Sequence, residues 1–326
     1  MLVPQRLRNT VVFLGQREAT EIRVGGTAFF VSVPYATLPE YRFVYLVTAR
    51  HAVDGKTGLV ARINRPAGMT ITTDERDQVD LSKAGTFNLD LPDGDDDLWL
   101  THPNPNPGED YVDIAAVRVH DFAAMVAHSA GYGWVPMSMF FPESLLGDEP
   151  DSGVGIGDEV VTLGLLTVHY GQEKNEAVMR MGNLAMVPDE PVLVKYRTGP
   201  NRRMRLYLTE LRSISGLSGS PVFIRHRTFP GDLELPPMSL LGLMIGHWDD
   251  PNGNHMGFGK VVPAALIAEV LNQEKEMKKR EKEEMGKEAG GTAHADSALE
   301  EDEYQRFDDL ARKLVNTPKS EEPPKK

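Results

Sequence analysis

Three short stretches carry residue types suited to nucleophilic catalysis: TARHAV at Thr48–Val53, VDIAAVRV at Val112–Val119 and SGLSGSPVF at Ser215–Phe223. A serine hydroxyl is a poor nucleophile at neutral pH and needs a base beside it. Histidine suits that role, because a pKa near 6.5 lets it take the proton and later return it. A carboxylate on the other ring nitrogen holds the tautomer and stabilises the imidazolium. His51, Asp113 and Ser218 supply these three types, each in a defined local setting. Singly, each is ordinary. A serine in a glycine-rich turn is common, and Asp110 rivals Asp113 from three residues upstream. Ser213, Ser215 and Ser220 are weaker nucleophiles than Ser218, because none sits between Gly216 and Gly219.

Positioning such residues is the work of the flanking elements, and these read as strands. From Thr10 to about Leu271 the chain runs through TAFFVSV, FVYLVTA, IAAVRV, EVVTLGLLTV, MRLYL, PVFI and SLLGLMIG, broken by Gly, Pro, Asn and Asp. Alternation and closely spaced turn signals predict antiparallel strands in sandwiches or barrels. Thr73 to Asp110, with LPDGDDD and HPNPNPG, reads as a long surface loop. Asp93, Asp95 and Asp97 open like a calcium loop. However, Leu98 stands where that loop needs glycine, and Asn104 where it needs glutamate. A solvated acidic loop is the better reading.

VVPAALIAEVL from Val261 predicts an amphipathic helix. EKEMKKREKEEMGKE after it predicts a solvent-exposed helix or an extension without fixed structure. GKEAGGTAHADSALEEDE reads as a linker, and YQRFDDLARKLVN spaces Phe307, Leu310 and Leu314 as one helical face, either a docking face for a protein partner or a short helix without a role.

Composition narrows the function classes. The 326 residues contain no cysteine, which excludes disulfides, thiolate chemistry and cysteine-ligated zinc. A net charge of −13 argues against nucleic acid or an anionic membrane as the main partner. The N-terminus lacks a secretory core, and no apolar run approaches the roughly 18 residues of a membrane span. The expectation is a soluble, cytoplasmic protein without metal or cofactor.

The motifs resemble those of the trypsin/chymotrypsin-like serine peptidases. GLSGSP is similar to that family's Gly-x-Ser-Gly-Gly-Pro nucleophile turn, and TARH to its Thr-Ala-x-His base motif. VDIAAV is similar to the segment supplying the acid, and GGTAFFVSV at Gly25–Val33 to the strand preceding the histidine strand. The order His, Asp, Ser is that of the chymotrypsin type. The resemblance implies two six-stranded antiparallel β-barrels with the site between them. It places the first in residues 1–125 and the second in 126–271, followed by a charged helix, linker and tail in 272–326. It implies His51 as base, Asp113 as orienting acid, Ser218 as nucleophile, and the N–H groups of Gly216 and Ser218 as the oxyanion hole. Ser220 departs from the motif's second glycine. Leu217 departs from an aspartate that pairs with a freed N-terminus, which implies that no such activation step is needed.

The resemblance also implies that Arg212, six residues before the nucleophile, floors the specificity pocket, and that His247 in SLLGLMIGHW stands at its wall. A guanidinium and an imidazole there favour an acidic substrate side chain; the rival is a small neutral pocket lined by Ser213 and backbone. The expected activity is hydrolysis of polypeptide substrates. The competing reading is an inactive peptidase fold used as a binding module.

Overall fold

The computed structural model describes residues 5–18, 21–38, 41–64, 71–72, 78–79, 85–103, 111–119, 133–147, 153–171, 174–195, 200–211, 214–226, 238–250, 252 and 254–293. Residues 1–277 form one compact unit and 278–326 a second. The boundary expected at 125/126, and the segment YQRFDDLARKLVN, lie outside the described residues.

The first ten strands are β1 (Val11–Glu18), β2 (Glu21–Pro34), β3 (Arg42–Thr48), β4 (Leu59–Asn64), β5 (Ile71–Thr72), β6 (Gln78–Val79), β7 (Thr86–Asp90), β8 (Trp99–Thr101), β9 (Ala115–Val119) and β10 (Val135–Pro136). Eight of them form one sheet in the order β7-β4-β1-β2-β3-β9-β8, with β10 parallel to β2. The remaining eight are β11 (Glu159–Gly164), β12 (Val178–Met186), β13 (Val192–Val194), β14 (Arg202–Met204), β15 (Tyr207–Glu210), β16 (Pro221–Arg225), β17 (Met238–Asp249) and β18 (His255–Pro263). Of these, β11-β12-β15-β18-β17-β16 close into a six-stranded barrel, while β13 and β14 make a separate hairpin. The architecture is the chymotrypsin-like all-β one. The second barrel is closed, whereas the first is a sheet whose ladder does not close among the described residues.

Sequence explains where each sheet is wet. The start of β2, Glu-Ile-Arg-Val-Gly, alternates polar and apolar residues and is largely solvated. Its continuation, Thr-Ala-Phe-Phe-Val-Ser, has an unbroken apolar middle and is buried on both faces, as is most of β3. Phe13, Phe29, Phe30, Tyr45 and Phe223 are the largest fully buried side chains of a core that draws on both sheets.

Three expectations change. Among the described residues, the supposed loop 73–110 contains three ladder strands: β6 pairs with β5, β7 with β4, and β8 with β9. Leu89 and Trp99 pack on the core, so isolated apolar residues hold polar edge strands in register. The helix expected from Val261 begins at Ala264, because Val261–Pro263 end β18. Pro263 has no N–H to give a helix and so marks its start. Ala264, Leu266, Ile267, Val270 and Leu271 are its buried face. Finally, the helix Glu274–Ala293 runs through the glycines read as a linker, since helix propagation costs little once Glu, Lys and Ala have nucleated it. Its first turn is not solvent-exposed throughout: Glu276 is buried and accepts a 2.8 Å hydrogen bond from the Tyr45 hydroxyl. Among the described residues no helix is long and apolar enough to cross a membrane.

Candidate active site

Register places His51 opposite Asp113. Thr48, the last residue of β3, pairs with Ala115, the first of β9. Both strands leave the sheet at this end, so the residue three past Thr48 faces the residue two before Ala115. A 3-10 turn at Arg50–Ala52 holds His51, closed by bonds from Ala52 N–H to the Ala49 carbonyl and from Val53 N–H to that of Arg50. The Lys56 ammonium donates to the Ala52 carbonyl at 2.8 Å and locks the turn. Val112 and Ile114, both buried, clamp the backbone on either side of Asp113.

The carboxylate of Asp113 is fully buried and spends both oxygens on His51. Oδ1 accepts the backbone N–H at 2.9 Å, and Oδ2 lies 2.6 Å from Nδ1. A buried carboxylate needs such partners, and its two bonds fix both the position and the ring orientation of the histidine. About a third of the His51 side chain remains exposed. Burial works to lower the His51 pKa, but the charge and hydrogen bond of Asp113 raise it further, and the net shift is upward. Lys56 and Lys260 oppose that rise with their positive charges.

Ser218 lies in the turn between β15 and β16, flanked by Gly216 at φ +97° and Gly219 at φ +89°. Side-chain-bearing residues rarely adopt such angles, so the glycine spelling is dictated by the turn. Gly219 has a second reason: a Cβ there would collide with the Thr27 carbonyl and the Thr48 hydroxyl. The N–H groups alternate in use. Those of Leu217, Gly219 and Ser220 are bonded to the carbonyls of Ile214, Met244 and Leu217. Among the described residues, those of Gly216 and Ser218 have no hydrogen bond. Two N–H groups without a hydrogen bond beside a serine can hold an oxyanion.

Thr27 joins this turn to the first sheet. Its N–H donates to the Ser218 carbonyl at 3.0 Å, and its hydroxyl donates to the Gly216 carbonyl at 2.7 Å while accepting the Leu165 N–H at 2.9 Å. Its own carbonyl accepts the Thr48 hydroxyl at 2.8 Å, three residues before His51. One fully buried residue therefore ties the Ser218 turn to the strand that delivers His51. Sequence reasoning missed this role of Thr27 and Thr48. Both stood inside quoted motifs, but the partner of Thr27 lies 189 residues away.

The two departures from the motif have local explanations. Ser220 is fully buried and crowds β11, where Gly164 leaves room that a Cβ would take. Leu217 belongs to the apolar core of the second barrel, with Phe141, Val160 and Leu241.

The remaining candidates are placed less completely. Arg212, Ser213 and Asp110 lie outside the described residues. His247 lies on β17, with Nε2 3.2 Å from Asp249 Oδ1 and its ring stacked on His255 at 4.0 Å. Burial, together with the charges of His255 and Lys260, lowers its pKa against the pull of Asp249. Asp93 and Asp95 are engaged by backbone: Asp93 accepts the Gly58 N–H at 2.8 Å and Asp95 that of Gly55 at 3.3 Å.

No protein-family model matches the chain, and no curated protein matches it. Among solved structures, the chain is similar to Rv3671c of M. tuberculosis H37Rv in an inactive mutant form, at 15% identity over 81% of this chain and 87% of that one, with a TM-score of 0.38. The inactive form of the Rv3671c protease gives 17% identity over 81% and 88%, also at 0.38. The HtrA-type protease AlgW with a decapeptide gives 13% identity over 82% of this chain and 64% of that one, at 0.43. Likeness this distant carries no argument about the site, whose reading rests on its own geometry.

Proposed function

We propose that the protein is a serine endopeptidase in which His51 is the general base, Asp113 its orienting acid and Ser218 the nucleophile. The observation that carries this reading is the pair of bonds from buried Asp113 to His51, which leaves Nε2 as the ring's basic nitrogen. Ser218 Oγ attacks the scissile carbonyl carbon as its proton passes to His51 Nε2. The carbonyl oxygen takes the negative charge and is held by the N–H groups of Gly216 and Ser218. The C–N bond then breaks as His51 returns the proton to the departing amine, leaving an acyl ester on Ser218. Water, deprotonated by the same histidine, hydrolyses that ester. Side chains, backbone and water carry every step, so the mechanism calls on no metal or cofactor, and its substrate is a polypeptide.

Hydrolysis of fluorescein-labelled casein tests the reading. The expected result is turnover by the native protein and a loss of about 10³-fold or more in Ser218→Ala, with an unchanged fold by circular dichroism. Equal rates in the two proteins would overturn the assignment. Tight peptide binding without turnover by either would support the binding-module reading instead.

A further inference from the structure

We propose that Lys260 recognises an acidic side chain on the substrate residue whose carbonyl Ser218 attacks, making the protein selective for cleavage after glutamate or aspartate. The inference rests on the catalytic reading above and adds the class of substrate.

β17 runs directly beside the nucleophile turn. Its Met244 carbonyl accepts the Gly219 N–H at 2.8 Å, and its Met244 N–H donates to the Ser220 carbonyl at 2.9 Å. Two residues further, about 7 Å along an extended strand, stands Gly246. Lys260 of β18 pairs with Gly246 across a break in the β17–β18 register. The lysine stem passes over Gly246: a Cβ built there would meet Lys260 Cε at 3.9 Å, an ordinary van der Waals contact. The ammonium lies 5.8 Å from the Trp248 ring centroid. A lysine on this face is thus delivered next to the turn that carries the nucleophile.

The Trp248 ring is a cation–π neighbour of its charge. Lys260 is half-buried, yet among the described residues no carboxylate lies within 4 Å of its ammonium. The charged and titratable groups that act on it or feel it are Asp113 and Asp249 on one side and His51 and His247 on the other. Asp113 is engaged with His51, and Asp249 with His247. Burial also lowers the lysine's own pKa, as expected for an ammonium short of solvation. With Lys56, it places two positive charges near His51, against the larger opposing effect of Asp113, in a chain of net charge −13. A substrate carboxylate supplies the missing counter-charge through a charge-assisted hydrogen bond, while a substrate lysine or arginine meets like charge. The cation expected from sequence was Arg212; the described residue that fits the role is Lys260, which no motif singled out.

The test uses two acetylated peptides, Ala-Ala-Pro-Glu and Ala-Ala-Pro-Gln, as fluorogenic amides for kcat/KM and as plain amides for binding. Binding is measured calorimetrically on Ser218→Ala, which removes turnover. The native site is expected to favour Glu over Gln about ten- to hundredfold in both measurements. Lys260→Met is expected to reduce that ratio to near one, and Lys260→Arg to retain most of it. Equal handling of the two peptides, or a preference that survives Lys260→Met, would overturn the inference. Reaction of Ser218 with a fluorophosphonate that bears no peptide side chain reports the nucleophile separately. Labelling without glutamate preference removes only the specificity claim. A glutamate preference in binding without labelling removes only the catalytic reading.

Discussion

Asp113 holds His51 twice, through the backbone N–H at 2.9 Å and through Nδ1 at 2.6 Å, and does so from a fully buried position. The acid therefore sets the histidine's place as well as its tautomer. Asp113→Asn puts an amide where the ring needs an acceptor, and a drop in kcat of about 10³- to 10⁴-fold is expected. Asp110→Asn should leave kcat within twofold. If Asp110→Asn is the damaging change and Asp113→Asn is silent, the acid has been misassigned.

The charges around His51 predict a pH dependence with a definite sign. Activity needs the neutral imidazole and rises with pH through the His51 pKa, which sits above its ordinary value. Lys260 disfavours the protonated ring, so Lys260→Met should move the rising limb of kcat/KM to higher pH. Asp113→Asn removes the group that raises the pKa and should move the limb to lower pH. A shift of the Lys260→Met profile in the other direction would contradict this electrostatic assignment.

Much of this site was legible in the sequence because its motifs are short and local. His51 follows its strand by three residues, Asp113 precedes its strand by two, and Ser218 is bracketed by glycines whose positive φ explains their presence. What was not legible depends on distant pairing. Thr27 meets Gly216 and Leu165 only after both sheets have formed, and Lys260 reaches the site only through the β17–β18 register. Strands β7 and β8 were hidden for a related reason. TFNLD and WLT are short runs set in a polar, Pro- and Asp-rich stretch, and pairing with β4 and β9 makes them strands.

Thr27 gives the next prediction. Thr27→Val keeps the shape but strips the hydroxyl from the Gly216 carbonyl and the Leu165 N–H, both within the buried seam. Leaving two buried polar groups unpaired should lower the unfolding free energy by about 2–4 kcal/mol. Because the Gly216 turn loosens, kcat should also fall more than KM rises. Chemical denaturation and steady-state kinetics on one preparation check both. A variant with native stability would show that the hydroxyl is not needed to hold the turn.

Gly219→Ala combines an unfavourable φ with a collision against Thr27 and Thr48. A loss of at least about 2 kcal/mol in stability is expected, along with loss of activity. Gly25→Ala, where a Cβ meets nothing within 4 Å, is the control and should be close to neutral. Similar behaviour of the two variants would show that the turn tolerates a side chain.

Ser218 is proposed as a nucleophile activated by His51. The most direct measurement of this is the site of covalent attachment after incubation with a fluorophosphonate, read by intact mass and peptide mapping. One adduct per chain on Ser218 is expected, abolished in Ser218→Ala and slowed at least a hundredfold in His51→Ala. An adduct on Ser215 or Ser220, or none on the native protein, would contradict it.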